Sequence, residues 1–560
     1  MKKPIRSWRG LLVLAAVLVA AALVLGACGS SDDTTDTTTD EGTPTAGGTY
    51  NYPLSANPVS IEPLNAQESE GMQVAHQVFQ GLAKYVLNEQ GEMVAEPDIA
   101  EKWETTDSQT WTFTLKQGVM YQAPVSREVV AQDFVDSWNR VTDPANQSYV
   151  SYILAPVEGC DDGGYQVDTK QGLTGVKAID DYTLEVKLRY AFAEFPQTLG
   201  HTVAAATPVE YIDEVGAKAY GKKPVGTGPY MVESWKNNQS VQLVKNPDYW
   251  DTENAGWVDN INMPIILESS TEWLEFQKGT TDYTNVPPGQ VAAAENNAKV
   301  KSGEWTAKRW PTLAVYFIGM NMTDATLGQD LELRKAIAMS TDSQNVINIV
   351  NEGVPLAAQG YVPVGIPGYQ PEQSPYGFDP EGATTIVDGL GTVPTLNYWY
   401  NTDEGHQKIA EVLQAGWKNV GIDVKLSNFE WGTFLDKLSK GAEGSGSQLF
   451  RMGWIADYPS MDNFLYPLFQ SDQARTGSYT FYDNSDVDDM LLQARQTVDD
   501  QQRYDLYLQA EKQILTDMPA SPLYFYRDFR VTNNRIGGYV HNPMGFTDMW
   551  TVWVKADTAQ

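Results

Sequence analysis

Gly226-Thr227-Gly228-Pro229-Tyr230, followed by Asn246-Pro247-Asp248-Tyr249-Trp250, is the stretch on which the reading of this chain turns. Two glycines around a threonine read as a tight turn, Tyr230 onward as a strand, and Asn246-Pro247 as a second turn. The run begins like a dinucleotide fingerprint, but Met231 stands where the third glycine belongs, and Pro229 would interrupt the helix that must follow. Dinucleotide binding of the Rossmann type is excluded, and the segment alone is a loop leading into a strand.

Around it, strand and helix signals mix without a regular βαβ beat. Trp111-Thr-Phe-Thr-Leu115 and Tyr182-Thr-Leu-Glu-Val-Lys-Leu188 alternate like half-buried strands. Val129 to Arg140 places Val130, Phe134, Val135 and Trp138 at helical spacing, with Asp133 and Asp136 facing elsewhere. His406 to Val420 is a second amphipathic helix, stopped by Gly421 and followed by the strand-like Ile422-Asp-Val-Lys-Leu426. Asp499 to Met518 is a long helix before the strand-like Leu523-Tyr-Phe-Tyr526. The expected class is mixed α/β (α+β) with several sheets, and no internal repeat is visible.

The N-terminus carries a different message. Lys2, Lys3, Arg6 and Arg9 precede an unbroken apolar run from Leu11 to Leu25, and Leu25-Gly26-Ala27-Cys28 closes it. The run suits a signal-peptide core and is short for a membrane-spanning helix. Ser30 to Gly48 holds no large apolar residue and reads as a flexible stalk. The folded body is expected to begin near Thr49. Its 560-residue chain has room for two or three domains. Net charge is −33, and the only residues that offset it before Cys28 are the four basic ones named above. Such acidity disfavours nucleic acid and anionic lipid surfaces. Cys28 and Cys160 are the only cysteines, so no disulfide framework supports the body.

The sequence holds no recognisable catalytic constellation. His76, His201, His406 and His541 are scattered, with no HExxH or HxH spacing, and no metal site or cofactor is expected. There is no G-x-S-x-G elbow and no P-loop. The chain reads as a protein without catalytic residues, not as an enzyme.

Taken together, Gly226 to Tyr230 and Asn246 to Trp250 resemble the signature of the peptide/nickel class (family 5) of ABC-transporter solute-binding proteins. Glu96-Pro-Asp-Ile-Ala-Glu-Lys-Trp103, Ala131-Gln-Asp-Phe-Val-Asp-Ser-Trp138 and Leu333-Arg-Lys-Ala-Ile-Ala338 follow the family order, and the resemblance runs from about Thr49 to Lys555. The Leu-x-x-Cys box is similar to the bacterial lipoprotein signal, which implies cleavage before Cys28 and lipid on its thiol. The resemblance implies a two-lobed, three-domain clamshell of the periplasmic-binding-protein kind (type II, cluster C). Expected boundaries are a signal peptide at 1–27, lipidated Cys28 and stalk at 28–48, and a discontinuous lobe I at 49–85, 205–309 and 523–560. An inserted domain II falls at 86–204 and lobe III at 310–522.

Within that family, Glu430-Trp-Gly-Thr-Phe-Leu-Asp436 and Arg451-Met-Gly-Trp-Ile-Ala-Asp-Tyr458 resemble the oligopeptide-binding members. The resemblance implies that Asp457 receives a peptide's α-ammonium group and Arg451 the carboxylate of short peptides. It places His406, in Tyr400-Asn-Thr-Asp-Glu-Gly-His406, near the carboxylate of longer ones, and Trp431 and Trp454 beside side-chain pockets. Tyr149, in Ser148-Tyr-Val-Ser-Tyr152, matches a further pocket ring. The chain departs from the pattern at Gly441 to Ser447, a Gly/Ser-rich lengthening between Trp431 and Arg451. These roles are physically reasonable, because an enclosed ammonium needs a carboxylate and a guanidinium fork suits a carboxylate.

Plainer alternatives stand beside each. Asp457 before Tyr458-Pro459 could cap a turn, Arg451 could serve a structural ion pair, His406 could be solvated, and the tryptophans could be core. The expected function is capture of oligopeptides by a lipid-anchored monomer facing outward from the membrane of a single-membrane cell, for delivery to an ABC permease and its ATPase. The alternatives are another solute on the same fold (oligosaccharide, nickel chelate or antibiotic), or a surface hydrolase or adhesion lipoprotein.

Overall fold

The computed structural model describes residues 43–555 apart from 67, 288, 372–373, 442–446 and 476. The leader, Cys28, most of the stalk and the centre of the Gly/Ser-rich lengthening therefore lie outside the described residues. Thr45 Oγ1 donates to the Val554 carbonyl at 2.8 Å, and Gly47 N donates to that of Trp257 at 2.8 Å. The chain thus packs on the body a little before Thr49.

The signature stretch joins three parts of the molecule. Tyr230–Lys236 is the edge of a four-stranded sheet with Ser240–Lys245, Asn260–Pro264 and Thr49–Asn51. Thr49–Asn51 runs parallel to its neighbour and the other pairs are antiparallel. The two glycines are not a positive-φ turn, as the sequence suggests, but a close approach. A Cβ on Gly226 would lie 2.1 Å from the Val78 carbonyl oxygen, and one on Gly228 would lie 2.6 Å from that of Gln77. The backbone thereby crosses the end of the Ser69–Val78 helix, where Gly228 N donates to Val78 O at 2.8 Å. Gln122 Nε2 donates to the carbonyls of Gly228 and Tyr230 at 2.9 and 2.7 Å. Asn246 returns to the same place, its backbone N–H donating to Pro229 O at 2.8 Å.

A second four-stranded sheet, all antiparallel, has the order Ala100–Thr105, Thr110–Leu115, Thr183–Lys187, Val176–Asp180. The Ala131–Thr142 helix covers it with Phe134 and Trp138, both fully buried. Asp133 does not face solvent as its spacing suggests. It is buried, accepts from Val130 N at 2.8 Å, and pairs with Arg127 at 2.6 Å, closing the first turn of its helix.

The largest sheet runs Tyr283–Asn285, Ala520–Asn533, Trp305–Met320, Leu449–Ile455, Leu396–Asn401, Val424–Phe429, with Leu356–Ala357 also on Ala520–Asn533. Its two long strands feed separate cores. Trp305, Phe529 and Val531 pack with Trp273 and Phe276, whereas Tyr316, Ile318, Met320 and Leu523 pack with Trp417 and Tyr398. Between these ends the antiparallel ladder loses register, from Pro311 to Val315. The Glu404–Asn419 and Asp500–Asp517 helices stand close to where their patterns predict.

Candidate functional site

Leu449–Ile455 is the strand that organises the site. It pairs along its whole length with Trp305–Met320, but its parallel pairing with Leu396–Asn401 involves only Leu449 and Phe450. From Arg451 to Ile455 the second edge has no ladder partner among the described residues. An unpaired edge carries backbone donors and acceptors that an extended chain can complete. Side chains alternate along it, so Trp454 and Ile455 face opposite sides. A cavity of about 400 Å³ lies beside Trp454 and Asp457, and another of about 400 Å³ beside Ile455, Tyr526 and Ser69–Gln73.

The two ends of this edge have opposite charge. At one end Asp457 follows the strand, its Oδ1 accepting from Tyr152 Oη at 3.0 Å and its Oδ2 from Asn463 Nδ2 at 3.3 Å. Its backbone N–H donates to Asn463 Oδ1 at 2.9 Å. Trp454 Nε1 donates to that same oxygen at 3.1 Å, which fixes the amide's orientation and the indole together. Among the described residues no cation lies within ion-pair distance of Asp457. Burial therefore raises its pKa, opposed by Asn463 and Tyr152. A desolvated carboxylate beside a cavity has the chemistry to pair with an ammonium group.

At the other end Arg451 Nη1 donates to Asn401 Oδ1 at 3.1 Å, and its guanidinium lies 5.1 Å from the Tyr316 ring and 5.9 Å from that of Trp431. Its Nε is buried and unpartnered, and no carboxylate pairs with it among the described residues. His406 joins the group, with Nδ1 3.4 Å from Tyr316 Oη. Burial, aided by the Arg451 charge, lowers the imidazole pKa to about 4. His406 is thus neutral at pH 7, and Arg451 is the cation of this end. Arg451 and Asp457 stand six residues apart, about 20 Å along an extended strand.

Arg451, His406 and Trp431 are thus brought into one cluster, and Asp457 and Trp454 into another. Tyr149 joins neither: it is 65% exposed, and the ring that reaches Asp457 is Tyr152, from the short helical turn Ser151–Leu154. Asn463, Asn401 and Tyr316 also escaped the sequence reading. The Ser148 to Tyr152 segment held the signal for Tyr152, but a one-turn 3₁₀ segment has no periodicity to say which of two tyrosines reaches Asp457.

Comparison with known proteins places the fold in a family. The family model for bacterial extracellular solute-binding proteins, family 5, matches residues 94–476. An oligopeptide-binding protein, OppA, of Bacillus subtilis is 31% identical over 546 residues, covering 94% of this chain and 96% of its own. The periplasmic oligopeptide-binding protein OppA of Salmonella typhimurium is 30% identical over 508 residues, covering 86% and 88%. The unliganded open form of MppA, a periplasmic murein tripeptide-binding protein, superposes with a TM-score of 0.76 at 26% identity, covering 92% of this chain and 99% of that one. The chain belongs to the family 5 bacterial extracellular solute-binding proteins, and its fold is the clamshell of that family. Among the described residues no helix is long and apolar enough to cross a membrane.

Proposed function

We propose that this chain is the ligand-capturing receptor of an ABC importer and that its ligand is an oligopeptide held along the open edge of Leu449–Ile455. One observation carries the reading: among the described residues, a strand edge without a ladder partner has a carboxylate with no cation, Asp457, at one end and a guanidinium with no carboxylate, Arg451, at the other. A peptide is the solute with that complement, since it brings an ammonium, a carboxylate and a backbone able to add as a strand. Its side chains would alternate between the two flanking cavities, which supports loose reading of sequence. The names of the Bacillus and Salmonella relatives support the same solute class. Sugars offer neither charge, so the oligosaccharide alternative leaves both Asp457 and Arg451 unanswered.

Closure would turn on the Trp305–Met320 and Ala520–Asn533 strands, which serve three cores and lose register between Pro311 and Val315. A ligand touching both lobes would favour the closed form, which would then dock on the permease and its ATPase partner. We place lobe I at 49–85, 205–309 and 523–560, domain II at 86–204 and lobe III at 310–522. Lipid on Cys28 would hold this monomeric receptor near its permease and raise its effective concentration there. The test is mass spectrometry of what the purified protein releases on denaturation. Free-amine oligopeptides are expected; a sugar or a metal chelate in their place would overturn the reading.

A further inference from the structure

Behind Asp457 lies a buried charged cluster, of which Arg495 reaches the wall of the cavity beside Trp454 and Asp457. Glu194 and Asp462 are both buried, and the Tyr507 hydroxyl lies between them, 2.9 Å from Glu194 Oε2 and 3.0 Å from Asp462 Oδ1. Arg495 pairs with Asp462 at 3.1 Å, and Arg503 lies 3.5 Å from Glu194. Arg503 also pairs with the exposed Asp500 at 2.5 Å, whereas Glu194, Asp462 and Arg495 are buried away from water. Such a cluster is costly to bury and gives little net stability over an apolar substitute, so its retention asks for another reason.

Its geometry points at the ammonium site. Ser460 Oγ donates to Glu194 Oε1 at 2.7 Å, and with that proton committed its lone pairs accept from Asp462 N at 2.9 Å, capping the Met461–Phe469 helix. Asp462 is held in turn by Tyr458 Oη at 2.7 Å. The next residue is Asn463, whose amide accepts from Trp454 and Asp457 N and donates to the Asp457 carboxylate. Glu194 thus fixes the cap, the cap fixes the first turn, and the first turn fixes the one amide that orients Asp457. Glu194 and Tyr152 lie on the same stretch of chain, 152–194, far in sequence from Asp457.

We propose that Glu194 is a positioning residue for ammonium recognition, acting on Asp457 through Ser460 and Asn463. This rests on the reading of Asp457 as the ammonium site. Glu194→Gln keeps the size of the side chain but removes the charge facing Arg503 and turns one acceptor oxygen into an amide donor, so Ser460 keeps its acceptor only when the amide oxygen faces it.

The test is a titration of wild type, Glu194→Gln and Ser460→Ala with one tetrapeptide, free and N-acetylated. The ratio of the two affinities is the readout, because general loss of fold would weaken both peptides alike. Wild type should favour the free amine. Both variants should lower that preference about tenfold by weakening the free peptide alone. If wild type shows no preference, the ammonium site itself is misplaced. If wild type shows it and a folded variant retains it in full, Glu194 is not a positioning residue. Should Glu194→Gln not fold, Ser460→Ala, which loses the single hydroxyl joining Glu194 to the helix cap, decides between these outcomes.

Discussion

The Tyr152 hydroxyl donates to the Asp457 carboxylate across 3.0 Å, joining positions 305 residues apart in the chain. Burial and the Asp457 charge together push the Tyr152 phenol well above its usual range, while its hydrogen bond opposes the rise that burial causes at Asp457. Tyr152 is therefore a permanent donor, and it leaves the carboxylate free to accept further. Asp457→Ala should cost about 2–5 kcal/mol of affinity for free-amine peptides, as when one partner of a buried pair is truncated. Tyr152→Phe should cost about 1 kcal/mol. Calorimetry with one tetrapeptide checks both.

Binding should also depend on pH in a definite direction. Burial raises the Asp457 pKa in the free protein, and an arriving ammonium lowers it. Affinity is then fully present above the raised pKa and is lost as pH falls through it, with proton release on binding in that window. Calorimetry in two buffers of different ionisation heat measures the released proton, and Asp457→Asn should abolish it.

The two basic candidates should separate. Arg451→Ala should weaken peptides with a free carboxylate and leave C-terminally amidated ones almost unchanged. His406→Ala should change little for short peptides at pH 7, because burial and Arg451 keep that imidazole neutral down to about pH 4. An equal loss from both substitutions would contradict this division.

Away from the site, Glu511 gives a stability prediction. It is buried and accepts from Tyr361 N at 2.7 Å and Val362 N at 3.2 Å, and burial pushes its pKa from 4.5 to about 7. The folded state therefore binds the extra proton between those values, and stability falls as pH rises through that window. Glu511→Gln keeps an acceptor and removes the charge. It should match wild type near pH 5 and exceed it by about 2–3 kcal/mol at pH 8, read by denaturant titration.

Gly226→Ala should destabilise by about 2–4 kcal/mol, since its Cβ would meet the Val78 carbonyl oxygen and only backbone movement can relieve it. Gly118→Ala is the contrast. A Cβ there meets nothing within 4 Å, but φ is +79°, so its smaller cost is backbone strain alone.

Elements with strong periodicity were legible in the sequence. The Trp111 strand, the Trp138 helix and the Trp417 helix are close to where alternation or helical spacing puts them, because each has one apolar face and a recognisable stop. Features that depend on a partner distant in sequence were not. Asp133 reads as a solvated acid until Arg127 and the Val130 N–H are seen around it. The glycines of the signature read as a turn until the Ser69–Val78 helix is seen beneath them. The Asp457 and Arg451 candidates came from family resemblance. What no local pattern could supply was the open edge between them, nor Tyr152, Asn463 and Glu194 behind them, since these arise only when remote segments meet.

The most direct test of the central claim is calorimetry of the ligand-free protein with a pool of tri- to pentapeptides, free and N-acetylated in parallel. The account predicts heat and a thermal shift from the free pool and a much weaker response from the acetylated one. No heat and no thermal shift from free peptides would contradict it.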